Sequence, residues 1–92
     1  MNYLELNPWR LVFKSGWDKH FKKFDNETKK RILNKFEQMK QPLQGRGMHS
    51  SKYQVEETGQ YRIAFIEYKE EGIKDIHFVG NRKQYEKWYK DY

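Results

Sequence analysis

The chain has 92 residues, enough for one domain spanning 1–92 with a single core and too few for a second. It has no cysteine, and its three histidines (His20, His49, His77) are too scattered for a zinc site, so a disulfide framework and a thiolate metal centre are excluded and neither metal nor cofactor is expected. With 19 Lys and Arg against 13 Asp and Glu, the net charge of +6 suits an anionic partner, while no apolar run nears the roughly 20 residues of a membrane helix, so a cytoplasmic protein with no membrane partner is expected.

A loose stretch of seven residues leads to Pro8, after which Trp9, Leu11 and Phe13 alternate with polar or smaller neighbours as in a half-buried strand. Ser15 can cap a helix with Asp18 three residues on, and Trp17, Phe21 and Phe24 fall at i, i+4 and i+7 on one apolar stripe. Asp25 and Asn26 interrupt that stripe. A second helix is predicted from Glu27 to about Lys40, with Ile32, Leu33, Phe36 and Met39 on one face, pairing with the first as an antiparallel hairpin. Gln41-Pro42 stops it, and Gly45-Arg46-Gly47 reads as a flexible basic loop. From Lys52 to Glu57, Tyr53 and Val55 alternate with polar residues. Thr58-Gly59-Gln60 turns the chain into Tyr61–Tyr68, which is apolar on both faces as a central strand should be. Glu70-Glu71-Gly72 turns it back into Ile73–Val79, and Tyr85, Trp88, Tyr89 and Tyr92 take helical spacing in a last segment from about Lys83. The predicted fold is α+β, ordered β-α-α-β-β-β-α, an antiparallel sheet with a helical hairpin packed on one face and a short C-terminal helix.

Two arginines stand out, Arg62 in the run Gly59-Gln60-Tyr61-Arg62 and Arg82 after Gly80-Asn81, because adjacent strands deliver both toward one place. With the basic hairpin and the aromatic tail, these motifs make the chain resemble the RelE/ParE superfamily of type II toxins from about Trp9 to Tyr89. The resemblance implies a central antiparallel sheet with helices against one face, and a co-encoded antitoxin as partner. In the RelE branch it implies a ribosome-dependent endoribonuclease that cuts messenger RNA in the A site; in the ParE branch, a gyrase poison. Carried over by position, Arg62 contacts the scissile phosphate, Arg82 is the second arginine, and Lys52 moves a proton or stabilises charge. Gln54 stands where the family has a further lysine. Tyr85 and Tyr89 offer the tail tyrosine, at a spacing from Arg82 that differs from the family's.

Metal-free RNA cleavage removes the proton of a ribose 2′-OH, stabilises a dianionic transition state and protonates the 5′ oxygen. Guanidiniums serve the middle task, binding two phosphate oxygens and keeping their charge. The proton steps want groups nearer neutrality, which brings in His77 and His49 beside Lys52 and Tyr85, with Glu56 as a carboxylate candidate. Arg62, Arg82, Lys52, Tyr85 and His77 are thus the candidate catalytic residues, and Arg46, Lys52, Gln54 and Tyr89 the candidate RNA contacts. Plainer roles stand beside these. Arg62 can pair with Glu56 or Glu67 across strands, Arg82 can cap the last strand, His77 can be an ordinary sheet histidine, and the tail aromatics can simply pack. The alternatives to a ribonuclease are a ParE-like gyrase inhibitor and a catalytically inert RNA-binding member of the fold.

Overall fold

The computed structural model describes residues 8–41 and 53–91. Strand β1 is Arg10–Phe13, helix α1 is Asn26–Met39, β2 is Gln54–Thr58, β3 is Tyr61–Tyr68, β4 is Ile73–Asn81 and helix α2 is Arg82–Asp91, with a short 3-10 turn at Phe21–Lys23. The α+β class is therefore observed, the described residues forming one four-stranded sheet with two helices. The Gly45-Arg46-Gly47 loop, His49, Lys52 and Tyr92 lie outside the described residues.

The helix predicted over Ser15–Phe24 does not form, so there is no helical hairpin. Gly16 takes a φ of +85°, outside the right-handed helical region. The backbone bonds that follow mostly span three residues, from Trp17 N to Lys14 O, Lys23 N to His20 O and Phe24 N to Phe21 O, which is the 3-10 spacing. The aromatic stripe still reports burial, because Trp17, Phe21 and Phe24 pack against the main core. A run of tight turns presents these rings inward as a helix would.

Helix α1 starts where Asp25 Oδ1 accepts the Thr28 N–H at 2.8 Å. Hydrogen bonds from the Thr28 side chain and backbone hold the Asp25 carboxyl below its usual range. Ile32, Phe36 and Met39 are buried at i, i+4 and i+7, whereas Leu33, predicted on the same face, is 50% exposed. One residue of rotation is about 100°, enough to carry Leu33 off so narrow a stripe. At the C-terminal end, Trp9 N donates to Lys40 O at 2.7 Å and the buried Lys74 Nζ donates to Met39 O at 2.9 Å. These donors satisfy carbonyls that have no partner within the helix.

The strand order is β1-β4-β3-β2. β2 and β4 flank β3 in antiparallel pairs, but β1 lies parallel to β4, with Arg10 opposite Ile73 and Phe13 opposite Ile76. The sheet is mixed rather than wholly antiparallel. The β2–β3 and β3–β4 hairpins are set by local turns at Gly59 and Gly72, both with positive φ. The alternation in β1 carries no such directional signal, and its partner is remote in sequence.

The two helices cover opposite faces. Ile63 and Phe65 of β3 with Ile76 and Val79 of β4 join the α1 residues in the main core, while Ala64, Phe78 and Tyr53 form a second cluster against Tyr85 and Trp88 of α2. A bulge makes both clusters possible: Ala64 pairs with Phe78 and Phe65 with Ile76, leaving His77 as the extra residue in β4. Simple alternation would put Ile76 and Phe78 on one face, and the bulge separates them. β4 then runs on past the predicted end at Val79 to Asn81. Among the described residues no helix is long and apolar enough to cross a membrane.

Candidate functional site

The α2 side of the sheet gathers the residues with chemistry. Arg62 sits in β3 directly between Glu57 of β2 and Gly80 of β4. Its Nη1 donates to Glu57 Oε2 at 2.9 Å, and its guanidinium carbon lies 5.7 Å from the centre of the Tyr85 ring. Arg62 Nε is buried and has no hydrogen-bond partner among the described residues. Tyr85 in turn stacks on Tyr89 with centroids 6.0 Å apart and rings inclined by 25°, and Tyr89 is 56% exposed. An arginine, a half-buried tyrosine and an exposed tyrosine therefore run outward in that order.

Local sequence explains why Tyr85 is held there. Asn81 N donates to Gln84 Oε1 and Gln84 N to Asn81 Oδ1, each at 2.8 Å, a reciprocal capping box that fixes the first turn of α2. Gly80 leaves room for it, since a Cβ there would lie 2.6 Å from the Phe78 ring and 3.0 Å from Gln84 Oε1. Phe78 supplies the floor, with Trp88 stacked on it at 4.9 Å and Tyr85 at 6.2 Å. Burial, and then the neighbouring Tyr89, push the Tyr85 phenol above its ordinary range, while Arg62 pulls the other way. At neutral pH Tyr85 is a proton donor and not a base.

The other predicted residues are distributed differently. Arg82 is the first residue of α2, and its side chain is 71% exposed with Nε 3.6 Å from Glu86 Oε2. Among the described residues no hydrogen bond, ion pair or ring contact joins it to Arg62. The two guanidiniums do not form a shared clamp; each has its own carboxylate. His77 packs edge-on against Tyr53 at 5.2 Å, and Tyr53 in turn meets the Trp88 ring at 5.1 Å. Gln54 and Glu56 point to the α1 side, where Gln54 Nε2 donates to Glu67 Oε1 at 3.2 Å and Glu56 pairs with Lys35 at 3.3 Å. Lys52 and Arg46 lie outside the described residues. His20, given no function from sequence, sits edge-on to Phe78 at 5.6 Å. Burial, and then Lys19, Lys23 and Lys87, lower its pKa from the usual value.

Glu57 is the residue that sequence reasoning missed, having offered Glu56 and Glu67 as partners for Arg62. The signal was available in the turn. A two-residue loop of Gly59 and Gln60, with Gly59 at a φ of +62°, places Thr58 opposite Tyr61 and hence Glu57 opposite Arg62. Reading the turn as three residues loses that register.

No group of three or more His, Asp or Glu side chains close enough to hold a metal ion occurs among the described residues. A separate groove of about 780 Å³ runs between β1 and α1, lined by Trp9, Leu11, Phe13, Leu33 and Phe36 among others. Compared with protein-family models and with curated proteins, the chain gives no match.

Proposed function

We propose that this protein is the toxin of a type II toxin–antitoxin system, a RelE-like, ribosome-dependent endoribonuclease that cuts messenger RNA by 2′-OH attack and works in the cytoplasm. The observation that carries this reading is the outward series Arg62, Tyr85, Tyr89. Arg62 holds the scissile phosphate, the protonated Tyr85 phenol donates to a phosphate or leaving-group oxygen, and Tyr89 offers its exposed face to a base. The net charge of +6 draws an RNA chain to the surface. Arg82, exposed at the start of α2, contacts the backbone beyond the scissile phosphate instead of sharing it. A co-encoded antitoxin and the ribosome are the partners of this reading.

One observation favours a second reading. Both arginines are already paired with carboxylates, Arg62 with Glu57 and Arg82 with Glu86. That pairing suits an inert RNA-binding member of the same fold, or a gyrase-directed one.

Induced expression with RNA-end mapping separates them. Arrest of growth with new 5′ ends inside translated messages, both abolished by Arg62→Ala in a folded protein, supports the ribonuclease. Arrest with double-strand DNA breaks and gyrase association moves the assignment to the ParE-like class, and RNA binding without new ends moves it to the inert class.

A further inference from the structure

We propose that Glu57 is the proton acceptor of this site, stored on Arg62 until an RNA phosphate displaces it. The inference rests on the ribonuclease reading above and assigns the base which that reading lacks. Glu57 stands directly across the strand pair from Arg62, its Oε2 2.9 Å from Nη1. Arg62 Nε is buried, so an incoming anion meets the guanidinium at its terminal nitrogens, where Glu57 already sits. Binding is therefore an exchange: the phosphate takes Nη1, and the carboxylate, on a side chain 59% exposed, swings free beside it. Released from Arg62, the carboxylate is free to accept a proton at the moment substrate arrives.

Among the described residues, the neighbouring carboxylates and Tyr85 are placed elsewhere or already committed. Glu56 is held by Lys35 and Glu67 by Gln54 on the opposite face, Glu86 is paired with Arg82, and burial keeps the Tyr85 phenol protonated. In the step itself, Glu57 accepts the proton of the ribose 2′-OH as the 2′ oxygen attacks phosphorus. The bond from phosphorus to the 5′ oxygen breaks, leaving a 2′,3′-cyclic phosphate on one fragment. The departing 5′ oxygen takes the Tyr85 phenolic proton, after which solvent reprotonates Tyr85 and removes the proton from Glu57.

The exchange gives Glu57→Gln opposite effects on two readouts. With a 2′-O-methylated tetranucleotide that cannot be cut, Glu57→Gln should bind about two- to fivefold tighter than the native protein, the competing ion pair being gone. Cleavage of translated messenger RNA, read by end mapping, should fall about 10²- to 10⁴-fold. Glu57→Asp, which keeps a carboxylate, should recover part of that cleavage, and thermal unfolding of each variant checks that it is folded. Native-rate cleavage by Glu57→Gln overturns the assignment, and so does a parallel loss of binding and cleavage, which marks a structural role. Arg62→Ala tells the two levels apart. If it cleaves normally the phosphate-holding role of Arg62 fails, and if the native protein makes no new ends the ribonuclease reading itself fails, whereas an inactive Arg62→Ala beside an active Glu57→Gln removes only the role of Glu57.

Discussion

The two faces of the sheet are built from the same strands yet differ in kind. On the α1 face Ile32, Ile63, Ile76 and Val79 are fully buried, and Lys74, the one buried cation among the described residues, is engaged by Met39 O and lies 4.9 Å from the Trp9 ring and 5.4 Å from that of Phe65. On the α2 face the packing is aromatic and incomplete. Tyr85 is half-buried, Tyr89 is out in solvent, and Arg62 keeps a buried donor with no hydrogen-bond partner among the described residues. Stability is concentrated on one face, the residues of the proposed site lie on the other, and β3 carries both in alternate residues.

Neighbouring substitutions in β3 test this division most strongly. Ile63→Ala should lower the free energy of unfolding by about 2–5 kcal/mol in denaturant titrations, because a fully buried side chain leaves a cavity. Arg62→Ala, one residue away, should change stability by less than about 1 kcal/mol, since its ion pair is partly exposed, yet reduce cleavage about 10²- to 10³-fold. Equal losses of stability at the two positions would end the comparison. Next in size, Tyr89→Ala should weaken binding of a single-stranded oligonucleotide by about 1–3 kcal/mol in a fluorescence titration, with melting unchanged. Unchanged affinity would make the ring mere surface.

The smallest expected effect is with pH. The folded state holds the pKa of His20 below its ordinary 6.5, chiefly by burial, so the unfolded chain binds the proton more readily. Stability should therefore fall as pH drops through about 6.5 and level off below the folded-state pKa, and His20→Gln should flatten that limb of a pH series of melting curves. A native limb that is already flat would show that His20 is not held neutral against Phe78.

Much of this was legible in the residues where the determining forces are local. Tyr61–Tyr68 is bounded by turn residues and apolar on both sides, and its span was read correctly; α1 and α2 follow helical spacing, each to within a residue or two at its described ends. What was lost depends on distance or on one φ angle. Gly16 turns the aromatic stripe of Trp17, Phe21 and Phe24 into a chain of turns, and the bulge at His77 reverses the phase of β4 halfway along. The candidate site was half legible. Arg62, Tyr85 and Tyr89 could be singled out by residue type, but the separation of Arg82 from Arg62 and the approach of Glu57 follow from how β2, β3 and α2 are placed.

The parallel pairing of β1 with β4 also bears on how the chain reaches this state. Arg10 finds its partner Ile73 about sixty residues later, so β1 cannot complete its ladder until β4 exists. The β2–β3–β4 meander and α1 can form from near neighbours, which makes docking of Trp9, Leu11 and Phe13 the late, entropically costly event in folding. Until then these three apolar residues wait in water beside an unpaired backbone, the condition under which newly made chains associate with one another.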